Sequence, residues 1–541
     1  MSIAVVPNRK SPPAILLREA YREDGKSKSL TLANLTLWKP ERIDARVRAL
    51  KGEFDGVGGN VDPINDRVFG VLFVLKAIAD RIGITKALGN DRNGKLALFL
   101  ILARIANHGS RLSAVRWARK HCVGELLGLR DFNENDLYKA MDRLSERQER
   151  IEKTLYREYV NKKGSPNILV LYDVTSSYLE GEFNEFAAYG FDRDKKKGKK
   201  QIVIGLLTGA DGEPLAVKVF KGNSTDPTTV SAQIETLKNR FLIKEVVFVG
   251  DRGMVKSNAK QALSEDGFKY ITALTNPQIR KLLRENIIQL NLFDTTVCEA
   301  QNGNIRLILR KNEAVRRKEE KRRQDKIVRF QELIQARNSF VSESTKADPE
   351  TGLRKLRDWA GRYKISSFVN LSLDGRRLVL TIDEQAKADA ALLDGCYVLE
   401  TDVAVELMDA RTIDERYRSL QQVERDFRTL KTGFLEIRPV FVRKKLRTRA
   451  HVLIAMLALK IVRDAQEHLK TVSDETDRLS LQDALRVMSR LCLHRYHPRD
   501  DVEFLRLPPL DDRQVLICNA LGIRPPSQKQ FSVGRCQIKS H

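Results

Sequence analysis

The sequence is short of cysteine, of long apolar runs and of acidic residues, and each shortage excludes something. Its six cysteines (Cys122, Cys298, Cys396, Cys492, Cys518 and Cys536) are scattered and form no CxxC pair. That excludes a zinc ribbon and a disulfide framework. Cys492, His494 and His497 stand together in CLHRYH, but no second ligand cluster completes a tetrahedral set, so reduced structural thiols are expected. The most apolar run, Leu96 to Ile105, is too short to span a bilayer and contains Arg104. The opening MSIAVVPNRKSPPAILL has no apolar h-region before a small-residue cleavage site. No repeat or low-complexity segment stands out. A cytoplasmic protein with no membrane partner is expected.

The acid shortage is the most informative. Lys and Arg number 96 against 71 Asp and Glu, a formal net charge of +25, with a pI near 9.7. Such an excess favours a polyanionic partner, because each phosphate neutralised releases condensed counterions. Nucleic acid is the first candidate. The chain has 541 residues, of which 42% are hydrophobic, enough for several folded domains rather than one core.

Residues 1–60 read as a small β-hairpin unit, since AILLREAYREDGKSKSLTLANL carries two β-prone runs around Asp24-Gly25, a hairpin turn signal. Residues 61–164 read as helical. FGVLFVLKAIADRIG, KLALFLILARIANHG and ENDLYKAMDRLSERQERIEKTLYREYV carry apolar residues at helical spacing. This basic region, with Trp117 between Arg116 and Arg119, is a candidate for DNA binding as well as for scaffolding. Over 165–278 the period changes: NILVLYD, IVIGLLTG and LAVKVF are strands, the last two a hairpin around Asp211-Gly212. VSAQIETLKNRFLI is an amphipathic helix, VVFVGD a buried strand, 256–266 a helix and KYITAL a strand. Three strands followed by alternating helices and strands predict an α/β fold, a ribonuclease-H-like catalytic domain with its chemistry beyond the strand ends.

Residues 279–392 read as a β-rich insertion outside the central sheet, with IRLILRK, FVNLSL and RLVLTID around a charged helical stretch whose basic run is either a solvated face or a DNA contact. Residues 393–465 return to the catalytic core, with CYVLETD, one long helix over Ile413 to Lys431, a basic loop and the apolar helix VLIAMLALKIV. Residues 466–541 read as a helical C-terminal region.

Phosphodiester chemistry needs divalent cations clamping the attacking and leaving oxygens, and magnesium takes hard oxygen ligands. Asp173 ends NILVLYD and Asp251 ends VVFVGD, with Gly253 permitting a tight turn after it. A buried carboxylate is unfavourable unless something offsets its charge, and a metal would. In the predicted sheet the two strands are neighbours, so the carboxylates meet at one end. The bland alternative is that each aspartate caps the element after it. The third acid must come from a helix. In DERYRSLQQVERDFRTLK, Tyr417, Leu420, Glu424, Phe427 and Lys431 recur at helical spacing, which places Glu424 on an otherwise apolar face. Its alternative is a half-exposed Glu424 paired with Arg428 at i+4.

LVLYDVTSSYLEG, YGFDRDKKKGKKQIVIGLLTGADGEPLAVKVFKGNSTDPTTV, VVFVGDRGMVKSN and YRSLQQVERDFRTLKTGFLEIRPVFVRKKLRTRAHVLIAMLAL together resemble the DDE-type insertion-sequence transposases of bacteria, over most of the chain to about Val462. The N-terminal YREDGKSKSLTLANL also looks like the start of these proteins. The glutamate block is similar to a signature of Tyr, two residues, Arg, three residues, Glu, six residues, Lys. It maps onto Tyr417, Leu420, Glu424 and Lys431, so leucine stands where the arginine is expected. Arg418 lies well round a continuous helix, while Arg428 is one turn past Glu424. Asp192 stands where a small hydroxyl residue is expected.

The resemblance implies a DNA transposase acting on double-stranded element ends and target, nucleoid-associated in the cytoplasm. It implies two Mg²⁺ or Mn²⁺ ions on Asp173, Asp251 and Glu424, DNA contacts from Tyr417, Arg428 and Lys431, and a homodimer that pairs the ends. Asn223 and Asp226 in GNSTD either shape the site or form an Asx turn. The alternatives are a catalytically silent DNA-binding descendant and a metal-dependent nuclease that cuts without joining.

Overall fold

The computed structural model describes residues 2–526 except 9–11, 24–25, 51–62, 164–167, 192, 195, 242, 244–245, 252–253, 256, 266, 295, 345, 432–434, 473–478 and 497–503. The chain divides into two compact units, Met1–Val71 with Arg119–Cys122 and Asp483–His541, and Leu72–Ala118 with Val123–Gln482.

In the first unit, Ser2–Val6, Ala14–Glu23 and Lys26–Asn34 form an antiparallel sheet. Glu23 pairs with Lys26, the register expected of a two-residue connection, although Asp24 and Gly25 themselves lie outside the described residues. A second sheet places Cys492–Tyr496 between Phe504–Arg506 and Pro63–Val68. This corrects the helical expectation at both ends of the chain: the described residues of 61–164 open with a strand and those of 466–541 contain two. Leu493 is buried between half-buried Cys492 and His494, the alternation of a strand, over a run too short to declare a period in the sequence. Cross-strand partners His494 and Asp66 are joined by a 2.7 Å hydrogen bond from Nδ1 to Oδ1. His497 lies outside the described residues.

The second unit combines helices with a large mixed sheet. Helices α1 (Arg92–Ala106), α2 (Arg111–Arg119) and α3 (Glu134–Glu146) precede it. The Asp91 side chain starts α1 by accepting from Gly94 N at 2.6 Å. The eight strands are β1 (Ile168–Tyr178), β2 (Gln201–Gly209), β3 (Pro214–Lys221), β4 (Val246–Gly250), β5 (Lys269–Ala273), β6 (Cys298–Asn302), β7 (Ile305–Lys311) and β8 (Cys396–Thr401). Their order is β6-β7-β8-β5-β4-β1-β2-β3. β1 pairs antiparallel with β2 and parallel with β4, and β4 is parallel to β5. The strands that carry Asp173 and Asp251 are therefore neighbours, as expected.

The segment expected as an insertion departs from its reading in two ways. Strands β6 and β7 extend the central sheet through β8. The remainder is more helix than strand, with α4 (Glu313–Glu343) of 31 residues, Pro349–Arg362 of 14, and one hairpin of two six-residue strands. The cause lies in the charged run: Ile327, Phe330 and Ile334 recur at helical spacing and are buried, enough to fasten an otherwise polar helix. They share a small core with Leu353, Leu356 and Phe368, and the Phe330 and Trp359 rings stack 5.3 Å apart.

Three further helices complete the unit, α5 (Ala410–Arg418), α6 (Leu420–Lys431) and α7 (Lys445–Val472). Val452 to Val462 of α7 are buried on every side, because α7 packs against α1, α3 and β3. A helix apolar all round needs such a surround. No described helix is long and apolar enough to cross a membrane.

Candidate active site

Strand register brings the first two acids together. Tyr172 of β1 pairs with Gly250 of β4 in a parallel ladder, so the next residues, Asp173 and Asp251, stand side by side. The sequence reading needs one correction. Asp251 follows the end of its strand, but Asp173 lies within β1, which runs on to Tyr178 paired with β2. The hydroxyl-rich VTSSY continues the strand, with Thr175, Ser176 and Ser177 buried and paired with β2. Along β1, Tyr172 turns into one core with Val170 and Val174. The period of two then assigns Asp173 to the opposite face, and α6 packs against this strand.

The helical part differs more. The single helix expected over Ile413 to Lys431 is two helices meeting at Ser419. Ser419 Oγ donates to Glu415 O at 3.0 Å, the back-bonding by which serine bends helices. In α6 the buried residues are Leu420, Val423, Asp426, Phe427 and Leu430, while Glu424 is exposed at the edge of that stripe. Glu424 is thus not embedded in an apolar face; it reaches the site from the rim.

All three acids line one cleft of about 320 Å³, with Tyr397, Tyr417 and Arg418 among its other walls. Asp173 accepts from the Val174 amide at 2.7 Å. Burial pushes the Asp173 carboxyl up to about 7; the Val174 hydrogen bond opposes this, and the charges of Asp251 and Glu424 push it further up. Those charges act on Asp173 because the three acids are close enough to repel. Tyr417 Oη donates to Asp251 Oδ1 at 3.2 Å, long for an O–H···O bond.

Behind the cleft, Asp414 of α5 is fully buried and accepts from Arg310 and Tyr397, and it pairs with Arg418 at 3.1 Å. Burial and the Asp414 charge raise the Tyr397 hydroxyl pKa. On a continuous helix Arg418 would lie well round from Glu424. With the break at Ser419, it joins the cleft. Tyr397, Arg418 and Asp414 are the residues that sequence reasoning missed, and only the serine within the helical run hinted at them.

The other expected DNA contacts sit outside the cleft lining. Arg428 is exposed on α6. Lys431 is mostly buried and pairs with Asp194 at 2.8 Å, a carboxylate shared with Arg438 at 2.6 Å. Burial lowers the Lys431 pKa, and Asp194 works against that. Asn223 is exposed and not part of the cleft lining. Asp192, Gly253 and the side chain of Asp226 lie outside the described residues.

The donors are hard carboxylate oxygens, suited to Mg²⁺ or Mn²⁺ rather than to a soft metal. A cation among them would relieve the repulsion that Asp173 registers, so the set fits by charge and chemistry. Among the described residues no group of three acids, histidines or cysteines is arranged to hold a metal ion.

Against known proteins, the transposase DDE domain family matches residues 164–461, more than half of the chain and all of the cleft's carboxylates. No curated protein matches. Among solved structures, a piggyBac transposase synaptic complex with hairpin DNA is similar, at 10% identity and a TM-score of 0.35, over 77% of this chain and 79% of that one. The chain belongs to the DDE transposase family.

Proposed function

We propose that the chain is a DNA transposase that cleaves the ends of a mobile element and joins them to target DNA, with Asp173, Asp251 and Glu424 holding two divalent cations. The observation that carries this reading is the convergence of three carboxylates, two of them side by side on parallel strands, in one cleft. The five-strand order β3-β2-β1-β4-β5 supports a ribonuclease-H-like core. Membership of the DDE transposase family supports double-stranded DNA as the partner.

In the first step water attacks the phosphodiester at the element end. A new P–O bond forms as the bond to the 3′ oxygen breaks, leaving a 3′-hydroxyl. That hydroxyl then attacks a target phosphodiester and exchanges one P–O bond for another. When bound, Mg²⁺ or Mn²⁺ supplies a lowered pKa for the attacking oxygen and charge neutralisation for the leaving one.

The chain's own residues supply the rest. Asp173 must release its proton to ligate, and the cleft that raises its pKa is where a cation would drive that release. Tyr417 orients Asp251 through its hydrogen bond. Arg418, partly exposed and steadied by Asp414, offers a planar fork to a phosphate at the cleft. Lys431 and Arg438 share the single charge of Asp194, which leaves that trio a net positive charge for the DNA backbone, with Arg428 further out. Pairing of two element ends implies a homodimer on DNA.

Incubation with Mg²⁺, DNA carrying the element ends and a target plasmid tests the reading. Joined products support it. Cuts without joining indicate a nuclease, and bound but intact DNA indicates a silent descendant.

A further inference from the structure

Far along the chain from the carboxylates, two arginines converge on one neutral acceptor. Arg104 near the end of α1 and Arg111 at the start of α2 each direct a terminal guanidinium nitrogen at Nδ1 of His451 in α7, at 3.4 and 3.2 Å. His451 is buried, with Nε2 3.0 Å from Ile437 O. Donation from Nε2 to that carbonyl leaves Nδ1 as the acceptor. Burial and then the two arginine charges lower the His451 pKa well below its usual value, so the imidazole adds no third positive charge; among the described ion pairs none joins a carboxylate to either arginine.

Arg104 is 8% exposed. Its pKa is pushed down to about 10, by burial first and by Arg111 second, with Glu436 opposing. Burial also lowers that of Arg111, opposed by Tyr138 and Glu134. Two adjacent cations, Arg104 buried and Arg111 half-buried, are unfavourable unless something offsets them. Each guanidinium has five N–H donors, and Nδ1 of His451 and the Met141 sulfur take few of them. Both arginines also line a small pocket with Asn107, Gly109 and Ser110. Its interior has room of about 10 Å³, close to that of one water-sized atom.

We propose that this pocket is an oxyanion site that admits one non-bridging oxygen of a phosphate, held by the guanidinium forks of Arg104 and Arg111. The ligand class is a phosphate group, either of a duplex DNA backbone or of free phosphate. The DNA source rests on the function proposed above, whereas the oxyanion chemistry does not. His451 acts as a positioning residue: it holds both forks in place while remaining neutral, so it does not compete for the anion.

The test uses the full chain. The variants Arg111→Gln and Arg111→Lys are each compared with the wild type by thermal unfolding, with and without inorganic phosphate, and by duplex DNA binding across salt concentrations. The expected result for folded R111Q is a slope of log K against log salt reduced by about one, with affinity down about tenfold. R111K keeps the charge and loses the fork, so its slope is unchanged while its affinity falls severalfold. Equal DNA slopes, with phosphate stabilising the wild type more than R111Q, would support the site and assign it to free phosphate. A folded R111Q matching the wild type in both DNA slope and phosphate response overturns the proposal. Should R111Q fail to fold, R111K decides: wild-type DNA affinity and phosphate response overturn the proposal, and a fall in either supports it. Failure of strand transfer with this site intact would count against the proposed catalysis alone.

Discussion

The site has a strand-borne half and a helix-borne half, and they were legible to different degrees. Asp173 and Asp251 sit where a period of two and a parallel register require them, since Tyr172 and Gly250 are paired and the acids simply follow. A sheet leaves little freedom, because slipping one residue moves every side chain to the other face. Tyr417, Arg418 and Glu424 sit on two helices that meet at Ser419, whose hydroxyl donates back to Glu415 O. Sheet-borne acids can be read from pattern, whereas helix-borne partners depend on where the helix bends.

The largest expected effect applies to both halves. Asp173→Asn, Asp251→Asn and Glu424→Gln should each reduce DNA cleavage on the order of 10³-fold or more, about 4 kcal/mol in the barrier, with duplex binding retained. A strand-transfer assay beside a gel-shift measurement checks this. Normal cleavage by E424Q alone would break the comparison by removing the helix-borne half from the chemistry.

Next comes Leu420→Arg, which restores the arginine of the signature. Leu420 is 8% exposed within the buried stripe of α6, so a guanidinium there should destabilise the fold by roughly 3 kcal/mol without raising activity. Denaturant unfolding measures it. A neutral or activating L420R would mean that α6 can rotate and that Arg418 is not the residue serving the cleft.

Asp173→Asn should also stabilise the metal-free protein. A carboxyl whose folded pKa is raised to about 7 binds its proton more tightly folded than unfolded. Its contribution is therefore most favourable below about pH 4 and is lost as pH rises towards 7. At pH 8 with a chelator, D173N should exceed the wild type by about 4 kcal/mol, and at pH 4 the gap should close. A constant gap would assign the gain to something other than charge.

Tyr417→Phe should have the smallest effect, a fall in cleavage of about fivefold, since it removes one long hydrogen bond to Asp251 of about 1 kcal/mol. A loss as large as that of D251N would place Tyr417 in the chemistry itself.

Much else was readable, for physical reasons that can be named. The elements β1 to β5 follow from strand and helix periods, and the apolar run VLIAMLALKIV lies in a helix. The segment after β5 was misread because IRLILRK looks like any short apolar run. Nothing local says that it will pair with CYVLET, about ninety residues on, and so join the central sheet. CLHRY was misread for a related reason: five residues with one buried leucine form a strand only when Pro63–Val68 arrives from the other end of the chain.

The central claim is that Asp173, Asp251 and Glu424 share one divalent-cation site. Calorimetric titration of Mn²⁺ into the wild type and into D173N, D251N and E424Q tests it most directly. Saturable binding in the wild type, weakened at least tenfold in every variant with the fold intact, is the predicted result. Undiminished Mn²⁺ binding in any one of the three would contradict it.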